Sequence, residues 1–314
     1  MNKILRFGVL AAAAVLALSV QAGTVRTDEN SVLRPTGKGT AELDTTPGAA
    51  AAAAAAGAKV RGHGIDYHGG PIMKNGVKLY YIWYGNWSGN SAVPILTDFA
   101  SNFGPSPYYN INTTYGDATR AKVKNSVTLA GSVNDNYSQG TALSDAQVLT
   151  VVENQISGGA LPLDPDAIYM VLTSSDVNET SGFCTAYCGW HYFAPFNGTT
   201  IKYSFVGNGD RCPGSCYTQT PGPNGNSGAD GMTSVIAHEI EEAATDPEIS
   251  AWYSNANGME NGDKCAWKFG TTYTTANGQK ANMKLGARDF LIQQNWVNAK
   301  NATSGANGYC DLKY

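Results

Sequence analysis

His238-Glu239-Ile240-Glu241-Glu242 is the stretch of this chain whose residue types and spacing suit metal chemistry. On a helix, positions i and i+4 share one face, so His238 and Glu242 can grip one cation. Glu239 sits about 100° round the same helix, beside that face, where it can serve as the general base. A third ligand is expected from Met259-Glu260-Asn261-Gly262-Asp263-Lys264-Cys265. Glu260, Asp263, Asp246 and His191 are the candidates. The cofactor expected is one zinc ion, which accepts imidazole nitrogen and carboxylate oxygen. The reaction would be hydrolysis: the metal polarises a carbonyl and a water, and Glu239 moves the proton to the leaving amine.

The pattern is similar to H-E-x-x-H metalloproteases, with a carboxylate in place of the second histidine. The extra negative charge should make a bound water less acidic, so the motif speaks for metal binding more than for fast hydrolysis. The choice of Glu260 rests on resemblance to the gluzincin peptidases, which take their third ligand from a downstream Glu. A plainer reading competes. Met232, Val235, Ile236, Ile240, Ala243 and Ala244 form an apolar arc, and His238, Glu241 and Glu242 fall outside it, as a solvent face would. Glu239 falls inside the arc, where the plainer reading explains it less well.

The elements that must position these groups follow from periodicity and breakers. Val77–Tyr84 reads as a buried strand closed by Gly85, Ala92–Phe103 as a helix and Lys122–Leu129 as a strand. Ser144–Ile156 reads as a helix opened by Ser144-Asp145, and Ala167–Thr173 as a second buried strand. Trp190–Phe193 and Thr200–Val206 form a strand pair about an Asn197-Gly198 turn. Gly231–Thr245 is the motif helix, capped by Asp230 and stopped at Asp246-Pro247. Beyond Pro247 only short strands are expected. The order predicts an α/β domain, a mixed sheet with packed helices.

The ends and the composition set its surroundings. Lys3 and Arg6, the apolar run Phe7–Val20 and small residues before Ala22 read as a signal peptide over 1–22. The run is shorter than the about 20 residues of a membrane span, and no later stretch is long enough, so no integral membrane segment is expected after cleavage. Residues 23–60, with the alanine run Ala49–Ala56, read as a linker or pro-segment, and 61–314 as one globular domain. Removing Lys3 and Arg6 takes the formal charge from -4 to -6. Without a Lys/Arg block, this argues against a nucleic-acid partner.

The six cysteines, Cys184, Cys188, Cys212, Cys216, Cys265 and Cys310, imply disulfides in an exported chain. The spacing suggests Cys184–Cys188, Cys212–Cys216 and Cys265–Cys310, and a four-cysteine zinc site is the rival. Location is expected to be extracellular or periplasmic, as a monomer. No G-x-S-x-G is present for a serine hydrolase. Asp164, Asp166 and Asp176 read as turn residues. Tyr80, Tyr81, Trp83, Tyr84 and Trp87 could line a carbohydrate-binding surface, although core packing is the commoner role for strand aromatics.

Several segments together resemble the phosphate-induced-protein, or EXORDIUM-like, family. They are Tyr67-His-Gly-Gly-Pro71, Tyr81-Ile-Trp-Tyr-Gly-Asn-Trp87, Tyr169-Met-Val-Leu-Thr-Ser-Ser-Asp-Val177, Gly182-Phe-Cys-Thr-Ala-Tyr-Cys-Gly-Trp-His191, Cys212-Pro-Gly-Ser-Cys216 and Asp230-Gly-Met232. The resemblance implies secretion and supplies no reaction. Within it, His-Glu-x-x-Glu followed by Thr-Asp-Pro and Glu-Asn-Gly-Asp-Lys-Cys is similar to a bacterial branch that looks zincin-like. Two functions are therefore expected to compete. One is a secreted zinc peptidase acting on peptide. The other is a non-catalytic protein binding cell-surface or cell-wall polymer, with a structural metal or none. An open coordination position favours the first, and a fourth protein ligand the second.

Overall fold

The computed structural model describes residues 61–314, together with a two-residue antiparallel ladder pairing Arg26–Thr27 with Leu33–Arg34. The signal peptide expected at 1–22 and the rest of the expected linker lie outside the described residues.

The sheet is built from five strands: β1 (Val77–Tyr84), β2 (Val127–Asp135), β3 (Ala167–Thr173), β4 (Gly189–Phe196) and β5 (Thr199–Gly207). Their order is β2-β1-β3-β5-β4, parallel throughout except for β4, which runs antiparallel at one edge. β3 is central, and every residue in it is buried, as its unbroken apolar run requires. β4 and β5 are joined through Asn197 and Gly198, both at positive φ, as a tight hairpin turn demands. The mixed α/β class expected from the sequence is observed.

Three long helices flank the sheet: α1 (Ala92–Phe103), α2 (Asp145–Ser157) and α3 (Ser227–Thr245). α2 opens with a full capping box, Ser144 with Gln147. The chain steps outward from β1 to β2 through α1, then back across β1 to β3 through α2. Right-handed crossovers therefore put α1 and α2 on opposite faces. α3 packs against α1, β4 and β5.

Three sequence expectations are corrected. The strand expected at Lys122–Leu129 begins later, at Val127, because Ser126 closes a turn onto Lys124 before pairing starts. α3 begins at Ser227, capped by Asn226, whose side chain accepts from the Ala229 N–H. Asp230 lies inside the first turn and accepts from the Asn224 backbone and amide instead. The disulfides are Cys184–Cys212, Cys188–Cys216 and Cys265–Cys310. Only the last matches the expected pairing. Cys216 ends the helical turn Pro213–Cys216 that Cys212 caps, so residues four apart there face the same way. Each reaches across to a partner in the Cys184–Cys188 loop rather than to its neighbour. With all six bridged, the four-cysteine zinc site is ruled out.

The aromatic residues Tyr80, Tyr81, Trp83, Tyr84 and Trp87 are all buried in the core, so they form no carbohydrate-binding surface. Past Pro247 the chain makes the hairpin β6 (Asn295–Lys300) with β7 (Asn307–Asp311) and several shorter ladders. This segment lies over the polar face of α3.

The Cys265–Cys310 bridge closes a loop of 45 residues. Replacing both cysteines by alanine should lower unfolding free energy by about 4 kcal/mol on the chain-entropy relation, measured by urea denaturation. Non-reducing peptide mapping should recover linked Cys184–Cys212 and Cys188–Cys216 peptides.

Candidate metal centre

Every residue of α3 from Gly228 to Thr245 is buried. The solvent face that an amphipathic reading assigns to His238, Glu241 and Glu242 does not exist. The C-terminal segment occupies that side. The Gln293 N–H donates to Ser234 Oγ at 3.0 Å, and Asn261 Nδ2 donates to the Glu241 carbonyl at 3.1 Å. Asn295 Nδ2 donates to Glu241 Oε2. Burial pushes the Glu241 pKa far up, against the opposing hydrogen bonds from Asn295 and Asn112, so Glu241 reads as a neutral acid, with Oε2 held by Asn295 and Oε1 buried without a hydrogen-bond partner.

The remaining acids of the helix meet two histidines. His238 Nε2 lies 2.9 Å from Glu242 Oε1 and 3.6 Å from Asp263 Oδ1. On the other side of Glu242, His191 Nε2 lies 3.8 Å from Glu242 Oε2 and 3.4 Å from Glu260 Oε2. Four segments supply these groups: edge strand β4 gives His191, α3 gives His238 and Glu242, and the loop after it gives Glu260 and the short 3-10 turn with Asp263. Exposure is 4% at His238, 3% at Asp263, 1% at His191 and Glu239, and zero at Glu242 and Glu260.

Both ends of the site are pinned by close backbone approach. A Cβ on Gly262 would lie 3.0 Å from Glu242 Oε1 and from the His238 ring. A Cβ on Gly189 would lie 3.0 Å from Glu239 Oε1 and 2.6 Å from Val235. Gln293 Nε2 donates to the Gly262 carbonyl at 3.0 Å and lies 2.9 Å from His238 Nδ1.

The electrostatics are those of a site short of positive charge. Burial raises the Glu260 pKa well above the carboxylate range, and Glu242, Asp246, Asp263 and Glu239 push it further. Burial lowers the His191 pKa to about 4, against the pull of Glu242, so the ring is neutral and its lone pair is available. Burial also pulls the His238 pKa down, but Glu242, Glu239 and Asp263 outweigh it and hold it at about 10. Asp246, expected as an alternative ligand, faces elsewhere. It accepts from the Ser250 and Ala251 N–H groups at 2.6 Å, and burial raises its pKa to about 7.

These groups fit a divalent cation. Glu242 Oε2 and Glu260 Oε1 are buried without a hydrogen-bond partner, which is costly for groups of this polarity. The N···O separations of 3.4–3.8 Å are long for hydrogen bonds. They match two donors sharing one ion at about 2.1 Å from each. The structure divides the expected ligand set, placing Glu260 with His191 and Asp263 with His238. Gly189, Gly262, Gln293 and Asn295 have no signal in the sequence, because nothing local marks a residue that will pack on a distant helix.

The centre lies inside a recognisable family region. The profile described as the phosphate-induced protein 1 conserved region matches residues 65–293. The chain belongs to this family. Protein EXORDIUM-like 5 of Arabidopsis thaliana is 33% identical over 284 residues, covering 77% of this chain and 78% of that protein. Protein EXORDIUM-like 3 of the same plant is 33% identical over 285 residues, covering 77% and 83%. Protein PHOSPHATE-INDUCED 1 of Nicotiana tabacum is 28% identical over 218 residues, covering 60% and 67%. No solved structure matches. All six groups of the centre fall within the matched region, whereas Cys310 and β7 lie beyond it.

Gly262→Ala should set a methyl against the His238 ring and Glu242 and lower stability by about 1–3 kcal/mol, read from urea unfolding of the wild type and the variant.

Proposed function

We propose that this family member is a secreted, zinc-dependent hydrolase of peptidase type, with α3 as its catalytic helix. The observation that carries the reading is the convergence of His238, Glu242 and Asp263 with Glu239 enclosed on the same helix. Three protein ligands leave a coordination position for water or substrate. When bound, zinc would supply a Lewis acid for the scissile carbonyl and for the attacking water. Glu239 would accept a proton from that water and return it to the departing amine nitrogen as the peptide C–N bond breaks. A helix carrying the ligands beneath a mixed sheet with an antiparallel edge strand supports the zincin-like description. The finer placement, in a bacterial branch that carries the H-E-x-x-E helix, is part of this proposal, while the relatives compared are plant proteins. The three disulfides support an oxidising, extracellular location, and among the described residues no helix is long and apolar enough to cross a membrane.

A second reading keeps the metal and removes the catalysis. The depth of the centre favours it, because Glu239 is only 1% exposed and the Gly189 backbone of the edge strand lies against its carboxylate. The cation would then hold the C-terminal segment to α3.

Elemental analysis and peptide-library cleavage separate the readings. Glu242→Ala should lose metal. Glu239→Gln should keep metal and lose cleavage by at least about 100-fold, the lower range for a general base. Metal without cleavage in the wild type would establish the second reading, with chelation lowering Tm. Folded protein that takes up no metal would exclude both.

A further inference from the structure

We propose that the centre is built for two divalent cations bridged by Glu242. One would sit on His238, Glu242 and Asp263, the other on His191, Glu242 and Glu260. The inference rests on the reading that the centre binds metal, and extends it to a second ion.

Geometry is the first reason. The donor atoms of each triad lie within 4.8 Å of one another, and the five residues fall into two such groups that share only Glu242. Its two oxygens face opposite ways, Oε1 toward His238 and Oε2 toward His191. Donors on one ion at about 2.1 Å cannot stand more than about 4.2 Å apart, so one ion does not gather all five groups as they stand. A carboxylate with one oxygen on each of two ions suits the separation of about 3.5–4 Å found in two-metal sites.

Burial is the second reason. An ion in the His238 triad alone leaves Glu260 Oε1 and Glu242 Oε2 in the interior without a partner. Glu239, Glu242, Glu260 and Asp263 bring four carboxylates into one dry region. A divalent ion at each position would offset the charge of the carboxylates that hold it. An uncompensated buried carboxylate is strongly unfavourable. Each position offers one imidazole nitrogen and carboxylate oxygens, a donor set that suits zinc, manganese or ferrous iron.

The test uses the full secreted chain, purified without chelator and loaded with Zn²⁺ or Mn²⁺. Wild type should hold two ions per chain by elemental analysis. His191→Ala and His238→Ala should each hold one, with unchanged circular dichroism. The Mn²⁺ form should give an exchange-coupled electron paramagnetic resonance signal, which needs wild type alone and so decides the matter even where a variant fails to fold. One ion per chain, indifferent to His191→Ala, would overturn the pair and leave the single centre standing. Two ions with uncoupled spectra would overturn the bridge. No ion in folded protein would overturn the metal reading itself.

Discussion

The structure depends on enclosing a cluster of carboxylates around α3. Moving a carboxylate out of water is unfavourable by several kcal/mol unless a cation, a proton or good hydrogen bonds replace the lost hydration. Each acid on the polar side of this helix meets that demand differently. Glu241 is held by Asn295 and is neutral. Asp230 accepts from Asn224. Asp246 accepts from two backbone N–H groups of the turn it begins. Glu242 accepts from the Asp263 N–H through Oε1 while its Oε2 has no partner, Glu260 Oε1 has none either, and both acids face histidines.

The covalent framework is placed to hold that cluster. Cys188 precedes His191 by three residues on the approach to the edge strand, and its bridge to Cys216 ties that strand to the turn ahead of α3. Cys265 follows Asp263 by two residues, and its bridge to Cys310 anchors the Glu260–Asp263 loop to the C-terminal hairpin. Segments distant in sequence are thus held together covalently, which would limit the ordering entropy of binding an ion there. The glycines complete the fit, since Gly189 and Gly262 let backbone approach where a side chain would collide.

Family membership and chemistry remain separate conclusions. The profile match fixes which proteins this chain is related to. The reaction has to be argued from the site, because a shared fold hosts unrelated functions. The chemistry open to the site depends on how many ions the five donors would hold. A single ion closed in by extra protein ligands would be structural, whereas two ions with three protein ligands each would both keep room for water.

The sequence alone determined the strongly patterned elements. β1, β3 and α1 fall where unbroken apolar runs and helical spacing put them, and α2 begins at its Ser144 cap. These are short-range signals, carried by residues within one element. The same local logic put His238, Glu239 and Glu242 on one helix, because their spacing is a property of a single element. Tertiary structure decided what lies beyond a single element. It sent Cys184 to Cys212 rather than to Cys188, and it sorted Glu260 with His191 and Asp263 with His238. It also buried a helix face that reads as solvent-exposed, because the cover comes from Asn261, Gln293 and Asn295, residues far along the chain. A hydrophobic period reports which side of a helix faces the apolar core. It is silent about a polar side that another segment will cover.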